Sequence, residues 1–281
     1  MGSSKDNNRT KAKGKKRART ADRYRLYLDS VQSPDNEVHF FSRAFRKQFG
    51  RPPKLLREDF CGTAAICYEW VKGKKSRRAI GVDIDPEPLA WGREHLAPEI
   101  PATALERVEL LQQDVRDVGP DKADVVAAQN FSFWIFKTRE ELRRYFKAAY
   151  DNLADEGIMV LDMMGGPEVQ EEDNEETTKK KGYTYVWDQH RFDPITHDCT
   201  FYIHFRFKDG SEIKKAFEYH WRLWSIPEVR ELLHEAGFDA VDVYWEGTDP
   251  KTGEGNDVFK IRKNAASDTA WIAYLVATKK P

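Results

Sequence analysis

Short apolar segments alternate with longer amphipathic segments across residues 54–164. The apolar segments have the length and composition of buried strands, whereas the amphipathic segments repeat apolar residues at helical spacing. Strands that alternate with helices predict a parallel sheet with helices on both faces. The expected strands are residues 54–60, 78–84, 107–115, 123–130 and 157–164, and the expected helices are residues 65–73, 87–97 and 138–154.

The apolar period changes to two across residues 183–224, where Asp209-Gly210 is a hairpin-turn signal. This stretch predicts an antiparallel sheet of about 40 residues inserted into the main fold. The polar stretches 167–182 and 247–268 are expected to be loops. A helix at 226–238 and strands at 239–247 and 270–280 complete a main sheet of seven predicted strands.

The charge is distributed unevenly along the chain. Residues 1–25 contain ten Lys or Arg and two Asp or Glu, a balance of +8, which leaves −9 for the remainder of a chain with net charge −1. We therefore expect a disordered basic tail at 1–20, followed by one acidic domain at 21–281. The tail is either a solubilising extension or an arm for nucleic acid or nuclear targeting.

Composition also limits the compartment. Apolar residues make up 40% and charged residues 33% of the chain, as in soluble globular proteins. No stretch has the roughly 20 apolar residues that span a bilayer, and the N-terminus lacks a signal-peptide core. The three cysteines show no metal-ligand spacing, so we expect no metal. A cytoplasmic location fits best, or a nuclear one if the tail is a targeting signal.

Polar residues follow four successive predicted strands of the main sheet. Because the carboxyl ends of parallel strands meet at one edge of the sheet, these residues should surround a ligand crevice. They are Arg57, Glu58 and Asp59 with the turn Cys61, Gly62 and Thr63, then Asp83, then Asp114, and then Gln129 and Asn130.

The spacing of these residues indicates the kind of ligand. Gly62 lacks a Cβ, so its backbone can approach a ligand closely. Asp83 follows 21 residues later, about the offset at which an acid meets a ribose diol. A carboxylate can accept hydrogen bonds from both hydroxyls. Glu58 would suit an ammonium group of the ligand.

Asp114 could accept a hydrogen bond from the amino group of an adenine, with Ile84 and Val115 on the two faces of the ring. The dinucleotide fingerprint G-x-G-x-x-G is absent, and the acids would repel a pyrophosphate. These features disfavour NAD, FAD and ATP. They favour a cofactor with a ribose, an adenine and a cationic amino-acid portion.

Six segments carry a further signal in their order along the chain. They are "EDFCGTA", "GVDIDPEPL", "QQDV", "ADVVAAQNFSF", "NLADEGIMVLDM" and "IPEVRELLHEAGF". In this order they resemble the motifs of class I S-adenosylmethionine-dependent methyltransferases. The resemblance implies S-adenosyl-L-methionine as cofactor, S-adenosyl-L-homocysteine as product, and a Rossmann-like, seven-stranded, mostly parallel sheet with an inserted antiparallel sheet.

This chain departs from the family pattern at three positions. Phe60 and Ala64 replace the first and last glycines of the first motif, and Arg57 occupies a position that is usually apolar. Arg57 could pair with the cofactor carboxylate or a substrate acid, or it could only neutralise Asp59.

The resemblance also implies a set of cofactor-binding residues. The segment "YRLYLDSVQSPDNEVHFFSRAF" resembles an N-terminal cap, in which Tyr24, Tyr27 and Gln32 could close over the cofactor; ordinary helix packing is favoured for Tyr24. The expected cofactor-binding residues are Tyr27, Arg57, Glu58, Cys61, Gly62, Thr63, Asp83, Ile84, Asp114, Val115, Gln129 and Asn130.

The methyl acceptor is less well specified. The aromatic cluster "YHWRLW" could form a cation-binding wall for an amine, although such a stripe more often packs a sheet on its parent domain. No general base is assigned, and His190 and His220 are individually weak candidates. The expected substrate-binding residues are Trp134, Tyr219, Trp221 and Trp224.

Three hypotheses remain at this point. The first is methyl transfer to a nitrogen or oxygen of a small molecule by a monomer or homodimer. The second is an RNA or protein methyltransferase that docks through the basic tail; "NFSF" in place of Asn/Asp-Pro-Pro-Tyr/Phe and the acidic domain make nucleic acid unlikely. The third is a module that binds the cofactor without transfer.

Overall fold

A computed structural model describes residues 16–253 and 255–281 of the chain. Its twelve strands form one large sheet and one small sheet. In chain order they are β1 (Leu55–Asp59), β2 (Arg78–Asp83), β3 (Val108–Gln112), β4 (Ala123–Ala128), β5 (Leu153–Gly165), β6 (Asn174–Lys180), β7 (Tyr183–Phe192), β8 (Asp198–Phe207), β9 (Glu212–Arg222), β10 (Ala240–Thr248), β11 (Gly255–Ile261) and β12 (Trp271–Lys279).

Helices connect these strands and cover both faces of the large sheet. Their ends carry the expected capping residues; for example, Thr138 and Ser225 each begin a helix with a capping box. The helices are α1 (Arg23–Val31), α2 (Pro34–Phe49), α3 (Ala65–Lys72), α4 (Pro86–His95), α5 (Ala102–Leu105), α6 (Arg139–Asn152) and α7 (Ile226–Ala236).

The large sheet has the strand order β11-β10-β12-β5-β4-β1-β2-β3. Strands β1 to β5 run parallel, whereas β12, β10 and β11 each run antiparallel to the neighbouring strand. The chain therefore leaves β1 toward β2 and β3, and later crosses to β4 on the other side. The order of the strands reverses beside β1, so the carboxyl ends of β1, β2 and β4 frame a crevice.

The predicted fold class is confirmed, with one strand more than expected in each sheet. Strand β11 lies in the stretch 247–268, and β6 lies in the stretch 167–182, both of which were predicted as loops. Both are edge strands. An edge strand has a neighbouring strand on one side only and is often charged. Neither β6 nor β11 therefore shows the alternation of apolar and polar residues that marks the other strands. The inserted sheet accordingly begins at Asn174 and not at 183.

Two apolar cores lie on opposite faces of the large sheet. One packs α6 and α7 against it around Phe146 and Leu232, and the other packs α2 and α3 around Phe41 and Trp70. The buried strand β4, with no exposed residue, contributes side chains to both cores. This two-faced burial explains why its sequence is a continuous apolar run.

A third apolar cluster joins the N-terminal segment to the small sheet β6–β9. Leu26 and Tyr27 of α1 pack against residues such as Phe205 and Ala216. Helix α1 therefore lies between the small sheet and the large sheet, where it can cover the crevice.

Residues 16–20, which were predicted to belong to a disordered tail, are part of this arrangement. Arg17–Arg19 form a 3-10 turn, the Arg17 backbone N–H donates to Asp209 Oδ2 at 2.8 Å, and the Ala18 N–H donates to Ser211 Oγ at 3.1 Å. The rest of the predicted tail, residues 1–15, lies outside the described residues. Within the described ranges, no helix is both long and apolar enough to cross a membrane.

Candidate active site

The turn between β1 and α3 has an unusual backbone. Phe60, Gly62 and Ala64 have φ angles of 57°, 51° and 59°, so every second residue of the turn is left-handed. Phe60 and Ala64 occupy the positions of the first and last glycines of the family motif. The turn therefore keeps the backbone that glycine adopts freely, and the two side chains are held there at a cost of roughly 1–2 kcal/mol each.

The Asp83 carboxylate fastens this turn to the end of β2. Its Oδ2 accepts a hydrogen bond from the Gly62 N–H at 2.7 Å, and its Oδ1 accepts one from the Asp85 N–H at 2.9 Å. Burial raises the pKa of the Asp83 carboxyl, and the two N–H donors oppose this shift. Each carboxylate oxygen has a second lone pair, so Asp83 can still accept hydrogen bonds from a ligand diol.

Helix α4 packs directly onto the same turn. A Cβ at Gly92 would collide with the carbonyl oxygen of Thr63. Only glycine allows this close approach of helix and turn. The packing holds the turn from behind and leaves its other side open to the crevice.

The crevice is a cavity of ≈ 460 Å³. Its lining comes from α1, the turn after β1, the ends of β2 and β4, and strand β9 of the small sheet. Its charged side chains are mixed in sign. They are Arg23, Asp83, Asp85, Lys215 and Glu218.

A second cavity of ≈ 330 Å³, which we call the roofed pocket, adjoins the crevice. The small sheet forms its roof with Tyr185 and Trp187, and the ends of β5 and β12 form its floor with Met164 and Trp271. Four residues line both cavities, so the two cavities meet where these side chains lie. They are Tyr27, Asn130, Tyr219 and Trp221.

The side chains of Tyr27 and Tyr219 interact with each other at this junction. Burial raises the pKa of Tyr27 to about 12 and raises the pKa of Tyr219 well above its usual value. Both phenols are therefore neutral at physiological pH. They can orient a substrate by hydrogen bonding, but neither is a competent general base there.

Asn130 and Phe131 are also strained, with φ angles of 58° and 57°. The carboxylate of Asp162 on β5 compensates, because Oδ2 accepts from the Asn130 N–H at 2.7 Å and Oδ1 from the Phe131 N–H at 2.9 Å. Burial raises the pKa of Asp162 to about 7. Two adjacent left-handed residues at a cavity junction are typical of a functional site.

Half of the predicted cofactor-binding residues line the crevice. Tyr24 and Gln32 of the N-terminal segment line it as well, although Tyr24 is also packed against Trp91 and Phe217. The predicted residues in the lining are Tyr27, Cys61, Gly62, Thr63, Asp83 and Asn130.

Glu58 lies elsewhere, because its side chain is 3% exposed and serves helix α3. Ala64 precedes that helix and has no side chain that could cap it. The Glu58 carboxyl takes this role by accepting the Cys67 N–H at 3.1 Å. Burial raises the pKa of Glu58 to about 8. The expectation that Glu58 meets a ligand ammonium therefore does not match its position.

Arg57 is also buried and structural, at 4% exposure. Its Nε donates to Asp59 Oδ1 at 2.7 Å, and its Nη2 donates to the carbonyl of Val115 at 3.0 Å. The second oxygen of Asp59 accepts from the Tyr145 hydroxyl at 3.1 Å. Arg57 thus follows the alternative in which it neutralises Asp59, and it does not line the crevice.

Four further predicted residues lie away from the crevice lining. Asp114 is engaged by Arg116, with a shortest N–O distance of 2.6 Å, and this contact lowers the pKa of Asp114. Val115 and Gln129 are buried, and the Gln129 amide donates to the Val160 carbonyl. Ile84 is 69% exposed beside Asp83.

The predicted substrate-binding residues divide into two pairs. Tyr219 and Trp221 line both cavities. Trp134 and Trp224 are core residues, and the Trp224 indole donates to the Phe136 carbonyl at 3.1 Å. The two histidines that had been considered line neither cavity. His190 is half-exposed on β7, and His220 pairs with Glu218 at 2.8 Å.

Sequence reasoning missed two cationic residues of the crevice, Arg23 of α1 and Lys215 of β9. Arg23 pairs with Glu87 at 2.6 Å and lies over the ring of Tyr24, and Lys215 has a φ angle of 49°. Neither belongs to a motif of the main sheet. Arg23 directly precedes Tyr24, which had been considered, whereas Lys215 has no such neighbour.

One group of potential metal ligands is formed by the small sheet. Ligand atoms of Glu175, Asp188 and His204 lie within 4.8 Å of one another. These donors are already engaged: Arg206 pairs with Glu175, and His204 contacts Asp188 at 3.0 Å and accepts the Lys215 N–H at 2.8 Å. Each of the three residues comes from a different strand, β6, β7 or β8. The sequence therefore showed no short spacing that is typical of metal ligands.

Residues 59–161 match the family profile described as "Methyltransferase domain". This part of the chain is therefore similar to methyltransferase domains. The match begins at the last residue of β1 and ends within β5, so it includes the turn and the strand ends that line the crevice and leaves out α1 and the small sheet. It confirms the family resemblance inferred from the motifs. No curated protein matches the chain significantly in sequence.

Solved methyltransferase structures share the fold over nearly the whole chain. An S-adenosylmethionine-dependent methyltransferase from Clostridium acetobutylicum has TM-score 0.66 and 14% identity, covering 92% of this chain and 98% of that one. CalS10, an amino pentose methyltransferase from Micromonospora echinaspora, has TM-score 0.64 and 17% identity, covering 92% and 96%. The sugar N-methyltransferase KedS8 from Streptoalloteichus has TM-score 0.63 and 17% identity, covering 93% and 94%.

The buried pair Arg57–Asp59 leads to a stability prediction. Arg57→Ala should destabilise the fold by about 3–5 kcal/mol, because it leaves the Asp59 carboxylate buried without its cation. Urea denaturation measures the change in unfolding free energy. The matched control is Arg78→Ala, which removes an exposed pair with Asp121 and should cost about 1 kcal/mol or less. Equal losses in the two variants would contradict the structural role of Arg57.

The buried Glu58 carboxyl predicts a pH dependence of stability. Its pKa of about 8 in the folded chain exceeds its ordinary value of 4.5, so the folded chain binds more protons between these values. The Glu58 contribution therefore falls as pH rises through that window. Glu58→Gln keeps an acceptor for the Cys67 N–H and removes the titration.

Thermal or urea unfolding at about pH 5 and pH 9 tests this expectation. Glu58→Gln should be more favourable relative to wild type at pH 9 than at pH 5, by at least about 1 kcal/mol. Glu106→Gln changes an exposed glutamate and should show the same difference at both pH values. If Glu58→Gln behaves like Glu106→Gln, the buried carboxyl does not titrate in this window.

Proposed function

We propose that this chain transfers the methyl group of S-adenosyl-L-methionine to a nitrogen atom of a small molecule. The observation that carries the proposal is the junction of two cavities, in which Tyr27, Asn130, Tyr219 and Trp221 line both. The crevice has the volume and lining for a nucleoside cofactor, and the roofed pocket has those for an acceptor. A methyl group at the junction would face both.

The crevice residues suit the three parts of S-adenosyl-L-methionine. The free lone pairs of Asp83 can accept hydrogen bonds from the ribose diol. Pro88 and Ile135 supply apolar surface for the adenine. Arg23 and Lys215 are cations that can meet the methionine carboxylate, the role for which Arg57 had been considered. Gly62 allows the backbone to lie close to the ligand.

The roofed pocket favours an amine as acceptor. The aromatic side chains of Tyr185, Trp187, Tyr219 and Trp221 line it, and Glu176 and Glu246 line it as well. Aromatic faces together with carboxylates attract an ammonium group. Of the structurally similar proteins, CalS10 is an amino pentose methyltransferase and KedS8 is a sugar N-methyltransferase. We therefore favour nitrogen over oxygen.

Transfer requires a neutral amine. The nitrogen lone pair would form a bond to the methyl carbon of S-adenosyl-L-methionine while the bond between that carbon and sulfur breaks. The electron pair of the broken bond would stay on sulfur, which becomes the neutral thioether of S-adenosyl-L-homocysteine. The methylated ammonium then loses a proton. Because the junction tyrosines remain protonated, the main contribution of the protein is positioning and exclusion of water.

The remaining expectations fit this proposal. The proposed reaction can be carried out by a monomer or by a homodimer. The free cysteines Cys61, Cys67 and Cys199 suit the proposed cytoplasmic compartment. A module that only binds the cofactor would share the crevice but would not need an acceptor pocket.

Cofactor binding provides the first test. Calorimetric titration should give micromolar binding of S-adenosyl-L-methionine and S-adenosyl-L-homocysteine to wild type. Asp83→Ala should weaken binding at least tenfold, about 1.4 kcal/mol, because the ribose loses its acceptor and the Gly62 turn loses its fastening. The control Asp121→Ala removes an exposed acid at the far side of the sheet and should bind normally. Absence of binding to wild type would remove the main support for the proposal.

Acceptor identity provides the second test. A panel of small amines and matched alcohols is incubated with labelled S-adenosyl-L-methionine, and methyl transfer is measured by mass spectrometry. Amines should be methylated at least tenfold faster than alcohols. A chain that lacks residues 1–15 should methylate the same compounds, because the described site lies outside that segment. Loss of transfer on truncation, with methylation of RNA or protein by the full chain, would support the docking-arm alternative instead.

A further inference from the structure

A third cavity adjoins the roofed pocket on the side away from the crevice. It has a volume of ≈ 350 Å³ and lies between α2, the ends of β5 and β12, and the edge hairpin β10–β11. Four carboxyl groups line it, against one arginine and one histidine. We call it the acidic chamber, lined by Glu37, Asp162, Glu246, Asp257, His39 and Arg43.

The carboxyl group of Glu37 is only half satisfied by the protein. Its Oε1 accepts a hydrogen bond from the Tyr274 hydroxyl at 2.9 Å. Its Oε2 is buried and has no partner among the described residues. A buried carboxylate oxygen without a donor is costly unless a ligand supplies one. The acidic surroundings select a cationic donor.

The chamber is continuous with the acceptor route. Val31, Asn130, Phe131, Glu246 and Ile272 line both the acidic chamber and the roofed pocket. The chamber shares only Asn130 with the crevice. A molecule that reaches from the junction through the roofed pocket would therefore place its far end in the chamber.

The distance of the chamber from the crevice matters for chemistry. Carboxylates around an amine stabilise its protonated form, which cannot attack a methyl group. An acid-rich chamber beside the reacting nitrogen would slow transfer. The same chamber at the far end of the substrate only binds, and it leaves the reacting amine free to lose its proton.

We propose that the acidic chamber binds a second ammonium group of the acceptor, with Glu37 as its principal ligand, so that the enzyme methylates a diamine or polyamine-like molecule at the end held near the junction. This inference rests on the proposed function. Glu37 shares the chamber with Asp162 on β5, Glu246 on β10, Asp257 on β11 and Tyr274 on β12, and with His39 and Arg43 of its own helix. The carboxyl groups outnumber the two basic side chains, which favours a cation over an anion.

Burial raises the pKa of Glu37 to about 8, and burial raises that of Glu246 as well. A bound ammonium group would stabilise the ionised form of these carboxyls, so ligand binding should release protons near neutral pH. At about pH 9 the Glu37 carboxyl is ionised while alkylammonium groups keep their proton. That pH is therefore suitable for comparing amines.

The experiment titrates amines into the protein loaded with S-adenosyl-L-homocysteine, using calorimetry at about pH 9. The probes are butylamine and the linear diamines from diaminopropane to diaminohexane. The best diamine should bind wild type at least tenfold more tightly than butylamine. Glu37→Gln should reduce that ratio to about one to two, because it removes the charge and keeps an acceptor for the Tyr274 hydroxyl.

Asp35→Asn is the matched control, since it removes an exposed acid two residues earlier on the same helix and should leave the ratio unchanged. The inference is wrong if no diamine exceeds butylamine, or if Glu37→Gln keeps the preference. A role of Glu37 as proton acceptor would lower turnover without changing the binding ratio, and it would likewise overturn the inference. Failure of S-adenosyl-L-homocysteine to bind in the same preparation would instead refute the proposed function.

Discussion

The structure depends on one tight reversal, in which the chain leaves β1 and enters α3 through residues 60–64. Three of these residues are left-handed, so the turn cannot be held by local preference. Glu58 holds it from the strand by capping α3, and Asp83 holds it from the neighbouring strand by accepting the Gly62 N–H. Because the first N–H groups of α3 and of the turn are fixed in this way, the crevice has a defined wall before any ligand binds.

Charged residues at this edge serve the fold first and the ligand second. Arg57 and Glu58 both form hydrogen bonds within the protein. Arg57 donates to the carbonyl of Val115 in the loop after β3, and Glu58 accepts from the N–H of Cys67 at the start of α3. Asp83 combines both roles, since its two bonds to N–H groups leave lone pairs that face the crevice. A charge next to a binding site is therefore a weak indication of ligand contact until its partners within the protein are known.

Asn130 connects three cavities whose electrostatic character changes along the route. The crevice carries charges of both signs, the roofed pocket is aromatic, and the acidic chamber is rich in carboxyl groups. Asp162 stabilises the strained backbone at Asn130 and Phe131 and also lines the chamber. One buried carboxylate thus links the backbone at the cavity junction to the lining of the acidic chamber.

The sequence by itself determined the main sheet, the inserted sheet, the sheet edge at which the crevice lies, and the place of Asp83 at that edge. It could do so because buried strands, amphipathic helices and polar residues at strand ends leave a recognisable pattern in the sequence. It did not reveal the edge strands β6 and β11, whose solvated sides need no apolar residues. Only the tertiary structure decided which side chains face the cavities. Arg57 and Asp83, which lie on the neighbouring strands β1 and β2, differ in the partners that folding brings to them. Arg23 and Glu37 come from segments that are distant in the sequence. No local sequence pattern could therefore show which side chains line the cavities.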